Sequence, residues 1–191
     1  MFPNTGTPIL DVFIKMFLQV ALTEELSKFI AFETIHLVRS DSKTDNPSGV
    51  MFYSVMVSVG FAIVENLTYA ERLIGGEISV QSLLMQRSVT SVFAHMMCGL
   101  FMGYFIALSK QRITNPDTTL KIWLKMNPRI KKWLFVTLGL GVATLFHGFY
   151  DFIVTLNINP LKILLIGGIV AYYMNEHLKR ISKDLHGKRV I

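Results

Sequence analysis

Thr23-Glu24-Glu25-Leu26-Ser27-Lys28-Phe29 puts three ionisable side chains within one and a half helical turns, midway along an apolar segment from about Pro8 to Val38. On a solvated helix such a group would be ordinary. In a segment of bilayer-spanning length it is not, because a charge at the membrane centre costs roughly 2.5–3.5 kcal/mol. Intramembrane acids of this kind read as functional when other polar groups face them. Three further apolar segments each bring such a group: Glu65-Asn66, then His95, then His147 with Asp151.

The rest of the 191-residue chain supports a membrane reading. It is 51% hydrophobic and only 17% charged, a profile of integral membrane proteins rather than soluble ones. Five segments reach the roughly 20 residues needed to span a bilayer. They run over residues 8–38, 50–74, 80–109, 132–156 and 161–179, within one membrane domain covering 1–191. The expected fold class is all-α: a polytopic transmembrane helix bundle with a polar catalytic cavity inside. Cys98 is the single cysteine, so no intramolecular disulfide can form. The opening Met1-Phe2-Pro3-Asn4 lacks a basic n-region, and targeting is expected to rest on the first span itself.

Basic residues set the expected orientation. Arg39 and Lys43 lie between the first two segments. Lys110, Arg112, Lys121, Lys125, Arg129, Lys131 and Lys132 lie between the third and fourth, and Lys179, Arg180, Lys183, Lys188 and Arg189 follow the fifth. If all five segments span, these regions share one side, and only Arg72 and Lys162 mark the other. The expectation is a multi-pass protein with its N-terminus outside and its C-terminus cytoplasmic. The Lys–Trp–aliphatic mixture of Thr118–Met126 reads either as an interfacial segment or as an anchored loop. The basic loop and tail are expected to meet anionic lipid head groups. The net charge of +6 does not indicate nucleic-acid binding, since no aromatic-basic module is present to carry it.

Depth and helical phase connect the polar groups. Counted from the cytoplasmic end of each segment, Glu24 and His95 lie 14 residues in, and Glu65 and His147 lie 15 residues in. Each therefore stands roughly 21–23 Å from the inner boundary at about 1.5 Å per residue. Ser54, Ser58, Ala62, Glu65 and Tyr69 form one stripe at three- and four-residue steps. Ser88, Ser91, His95, Cys98 and Gly99 form a second, and Thr137, Gly141, Thr144, His147, Gly148 and Asp151 a third. Small and polar residues on one stripe suit helix contacts in a bilayer. His147 and Asp151, one turn apart, can address one point. Arg87 and the Asp11/Lys15 pair lie nearer the outer face and read as interfacial or inter-helix pairing.

Glu24-Glu25-x-x-Lys28-Phe29, Phe61-Ala62-x-x-Glu65-Asn66, an isolated His95 and His147-x-x-x-Asp151 together resemble the PrsW family of polytopic proteases that cut anti-sigma factors. That family looks related to the type II CAAX prenyl proteases and bacteriocin-processing enzymes. The resemblance covers four of the five segments in the family's order. It implies an intramembrane endopeptidase in a bacterial or archaeal cell membrane, acting on a single-span membrane-protein substrate. It also implies site residues Glu24, Glu25, Glu65, Asn66, His95, His147 and Asp151, with Lys28 in support.

Two chemistries stay open for these residues. In the first, by analogy with the wider superfamily, Glu24 is the general base on a water. His95 then positions the water or the oxyanion, His147 and Asp151 complete the water cradle, Asn66 donates to the oxyanion, and Glu25 pairs with Lys28. No cofactor is needed. In the second, His95, His147 and one carboxylate, Glu24 or Glu65, bind a catalytic zinc ion. No HExxH spacing decides between them, and the first is the expectation. A third reading, a proton-coupled transporter or non-catalytic adaptor, uses similar acid–histidine chains. The absence of an inverted repeat and the single level of the cluster speak against it.

Overall fold

A computed structural model describes residues 8–38, 46–73, 80–110 and 127–187, and all of its regular elements are helices. α1 (Pro8–Ile14) runs without a break into a π-helical stretch (Lys15–Ala21) and then α2 (Leu22–Val38), forming one column. α3 (Pro47–Leu73), α4 (Val80–Lys110), α5 (Pro128–Thr155) and α6 (Leu161–Gly187) follow. The Thr118–Met126 segment, Arg39, Lys43, Lys188 and Arg189 lie outside the described residues.

Asn-Pro pairs mark the helix starts. Asn127 caps α5 by accepting from Arg129 N–H at 2.9 Å, with Pro128 in the first turn. Asn46 accepts from Ser48 N–H at 3.2 Å ahead of α3, and Asn159 accepts from Leu161 N–H at 3.0 Å ahead of α6. Each asparagine satisfies an N–H that the helix leaves open, and proline fits the first turn because it has none to satisfy. α5 ends in a Schellman turn: Ile158 N–H returns to Ile153 O, Asn157 N–H to Val154 O, and Asn157 takes φ 57°.

Three helical stretches, Pro47–Glu71, Arg87–Lys110 and Arg129–Thr155, are long and apolar enough to cross a membrane. The N-terminal column and α6 occupy the other two expected segments but carry more charge. Asp11, Lys15, Glu24, Glu25, Lys28 and Glu33 all sit on the first column, and Glu176, Lys179, Arg180 and Lys183 on α6.

α4 is the centre of the bundle. It packs against α3 on one side and against α5 and α6 on others, while the π-helical stretch lies on α5 and α2 sits between α3 and α5. Gly99 and Gly103 of α4, four apart, face Ser58, Ser54 and Met51 of α3. A Cβ on Gly103 would meet Ser54 Cβ at 2.9 Å and Met51 Cα at 3.0 Å, so only glycine permits this approach. On α5, Gly148 admits Phe17 of the π-helical stretch, whose ring also stacks edge-on against Phe149 at 5.0 Å.

The inward stripes follow expectation on α3 from Ser54 to Glu65, where Ser54, Ser58 and Ala62 are buried but Tyr69 is exposed, and on α4 from Ser91 to Gly99. They differ elsewhere. Ser88 is exposed and bonds back to Met85 O. On the inner half of α5, Thr137 and Gly141 are exposed, while Val136, Gly139 and Ala143 are buried. Close approach there uses Gly139 against Phe105 of α4, so the glycine two residues before Gly141, on nearly the opposite side of the helix, takes the contact.

Candidate active site

The inward face that runs from the end of the π-helical stretch into α2 is Ala21, Glu25, Lys28 and Phe32, all buried at four-, three- and four-residue steps. Two of these four are charged. Their burial, 0% exposed for Glu25 and 2% for Lys28, is tolerable only as a pair, and Lys28 Nζ donates to Glu25 Oε1 at 2.5 Å. The π-helical stretch just before α2 sets this phase. Thr23 donates its hydroxyl to the carbonyls of Gln19 and Val20 in the widened turn.

From Lys28 the contacts run on through the bundle. Nζ also lies 2.7 Å from His95 Nδ1 on α4 and over the ring of Phe61 on α3 at 4.8 Å. An ammonium can only donate, so Nδ1 of His95 accepts and the ring proton sits on Nε2. Nε2 faces Glu65 Oε2 of α3 at 2.9 Å. Glu65 Oε1 in turn binds Arg87 of α4 at 2.7 Å, and Arg87 Nε donates to Asn66 Oδ1 at 3.1 Å.

In the other direction, Glu25 Oε1 accepts from His147 Nδ1 of α5 at 2.8 Å. Nδ1 therefore carries a proton, and in the neutral ring Nε2 is a bare lone pair. That lone pair points between two carboxylates, Asp151 Oδ2 at 3.4 Å and Glu24 Oε2 at 3.7 Å. Both distances are too long for a direct hydrogen bond. Glu24 Oε2 is buried and has no hydrogen-bond partner among the described residues. The two imidazoles stand edge to face with centroids 4.8 Å apart.

All the residues singled out in the sequence thus enter one cluster contributed by α2, α3, α4 and α5. Asp151 faces His147 Nε2, so the two address one point as expected, and the carboxylate that holds Nδ1 is Glu25, from another helix. Asn66 joins the cluster through Arg87, which accepts no role in the sequence reading beyond helix pairing. Arg87 is the residue that pattern missed, although Arg87, Ser91 and His95 follow one another at four-residue steps on α4. With four carboxylates, two imidazoles and two permanent cations in contact, protonation belongs to the cluster as a whole.

The cluster can do two things chemically. It can hold and polarise a water between Glu24 and His147. It can also hold a metal ion, since one donor atom each from Glu24, His95 and His147 lie within 4.8 Å of one another. The donor types suit zinc. Among the described residues Glu24 Oε2 has no hydrogen-bond partner, and His147 turns Nε2 toward it while a carboxylate holds Nδ1, the arrangement that orients a ligating imidazole. His95 would contribute a nitrogen by releasing either Lys28 or Glu65.

A family model described as "PrsW family intramembrane metalloprotease" matches residues 3–175. Among curated proteins, "Protease PrsW" of Oceanobacillus iheyensis is 31% identical over 180 residues, covering 91% of this chain and 70% of that protein. "Protease PrsW" of Clostridioides difficile is 28% identical over 158 residues, covering 81% of this chain and 58% of that one. "Protease PrsW" of Bacillus subtilis is 31% identical over 134 residues, 70% of this chain and 50% of that one. No solved structure matches the chain.

Proposed function

The chain belongs to the PrsW family of intramembrane proteases, integral proteins of bacterial membranes, and from that premise we propose an endopeptidase whose water is activated between Glu24 and His147. The observation that carries this reading is the placement of His147, with Nδ1 held by Glu25 and Nε2 flanked at 3.4 and 3.7 Å by Asp151 and Glu24. A water seated there has a base to receive its proton and acceptors to aim its lone pair. Its oxygen attacks the scissile carbonyl carbon as Glu24 takes the proton. The permanent cations of the cluster, Lys28 and Arg87, offset the negative charge of the oxyanion. The proton then passes to the leaving nitrogen as the C–N bond breaks.

A second reading keeps the same residues as metal ligands. The partnerless Glu24 Oε2, the Glu24/His95/His147 donor group and the description of the matching family model favour it. When bound, zinc would supply Lewis acidity and a water of lowered pKa. Glu25 would still orient His147, and Lys28 would still offset the carboxylates.

The proposed substrate is a single-span membrane protein of the anti-sigma-factor kind, which the motif resemblance supports. The proposed orientation, N-terminus outside, is supported by the distribution of basic residues. With that orientation the active level lies nearer the outer surface, so the substrate is cut in the outer half of its span or just beyond it. An intact helix shields its carbonyls, and unwinding costs least where water meets the freed groups.

Co-expression with candidate single-span membrane proteins tests the activity. Wild type yields two fragments whose junction maps by mass spectrometry to the outer half of the span, and Glu24→Ala yields none. Equal fragments from both forms would end the reading.

A further inference from the structure

Resting on the proteolytic reading above, we propose that Arg87 is a positioning residue of the active site, acting through Glu65 to fix the orientation of the His95 ring. Arg87 is held on three sides by one turn of α3. Its terminal nitrogen binds Glu65 Oε1 at 2.7 Å, its Nε donates to Asn66 Oδ1 at 3.1 Å, and its guanidinium carbon lies 3.7 Å from the ring centre of Tyr69. A planar fork with two separate bonds and a stacked face has no rotational freedom left.

That rigidity passes to Glu65. One carboxylate oxygen is anchored on Arg87, so the other is fixed where it accepts from His95 Nε2 at 2.9 Å. Glu65 is thereby strung between two residues of α4 that lie two turns apart. His95 is gripped at both nitrogens, by Lys28 on Nδ1 and by Glu65 on Nε2. Without Arg87 the Glu65 carboxylate turns freely, and the Nε2–H of a buried ring loses its assured acceptor. A tie between helices needs only a charge opposite Glu65. The bond to Asn66 and the Tyr69 stack add direction, which is what a positioning role requires.

The test uses the full-length chain labelled with ¹⁵N-histidine, with the His95 signals assigned by their loss in His95→Gln. Wild type shows His95 protonated at Nε2. In Arg87→Gln and in Arg87→Lys the His95 Nε2–H signal shifts and broadens as its acceptor loosens, while the signals of His147 stay. On the single-span protein cleaved in co-expression, both variants lose about 10- to 100-fold in kcat, with KM within about threefold of wild type. In a Glu65→Gln background, Arg87→Gln lowers kcat by no more than about twofold further. Millimolar guanidinium restores part of the rate of Arg87→Ala.

Unchanged His95 signals in both folded variants, with only a lowered Tm, would overturn the proposal, as would multiplicative losses with Glu65→Gln. Should wild type cleave nothing, the proteolytic reading falls, and the His95 signals still decide whether Arg87 positions that ring.

Discussion

Lys28 donates to His95 Nδ1 at 2.7 Å across the α2–α4 contact, so a lysine decides which nitrogen of a site histidine carries the proton. The same ammonium neutralises Glu25, which holds His147. One side chain therefore sets the state of both imidazoles.

Removing Lys28 strands a carboxylate that is 0% exposed. Lys28→Met is expected to cost about 3–5 kcal/mol of stability, the usual penalty for breaking a buried pair from one side. Lys28→Met combined with Glu25→Gln should lose less than Lys28→Met alone. Thermal denaturation in detergent measures both, and a double variant less stable than the single one contradicts the pairing.

Glu24 and Glu25 are adjacent but differ in task. Glu24→Gln removes the base at the free side of His147 and is expected to lower kcat by about 10²–10⁴-fold with the fold intact. Glu25→Gln leaves Lys28 without its counter-charge and should lower both rate and Tm. Circular dichroism melts beside cleavage rates separate the two; equal Tm losses would show that Glu24 is structural.

Metal content divides the two chemistries. The metal-free mechanism predicts cleavage by protein carrying no stoichiometric transition metal. About one zinc per chain, with activity lost on chelation and restored by zinc, gives the site to the Glu24/His95/His147 donor group. Glu24→Gln would then lower the zinc content as well as the rate.

The glycines of α4 and α5 offer a packing test. Gly103→Ala forces a Cβ to 2.9–3.0 Å from Ser54 and Met51, and should cost about 1–3 kcal/mol. Gly141→Ala meets nothing within 4 Å and should be neutral or stabilising by up to about 1 kcal/mol. Comparing the two melting temperatures checks the α3–α4 contact.

Orientation is open to labelling. In a Cys98→Ser background, Gly187→Cys is expected to react only from the cytoplasmic side. Reaction from outside intact cells would reverse the orientation and, with it, the predicted side of the cut.

The helices and the membership of the cluster were legible because both rest on local pattern. Apolar length marks a span, and a buried acid that must find a partner marks a site. Glu25 and Lys28, three apart, announce their own pairing. What pattern could not give is which partner each group takes. Nothing in His147-x-x-x-Asp151 says that Glu25, 122 residues away, will claim Nδ1 and leave Asp151 at Nε2. A cation at the position of Arg87 suits interfacial or inter-helix pairing equally, and only its bonds to Glu65 and Asn66 show which neighbours it takes. The size and spacing of Thr137 and Gly141 suit an inward stripe, but they do not tell lipid from a neighbouring helix.

The π-helical stretch Lys15–Ala21 divides the first column into two faces with separate obligations: Phe13 and Phe17 answer to the aromatic rings of α5, while Glu25 and Lys28 answer to the cluster. A widened turn between them uncouples the two, since each residue added to or removed from an α-helix turns everything beyond it by about 100°. The stretch is thus the place where this helix can change length without losing its chemistry. Among related chains, insertions and deletions in the first helix should gather after Phe17, between residues 18 and 20, and the interval from Glu24 to Lys28 should tolerate none.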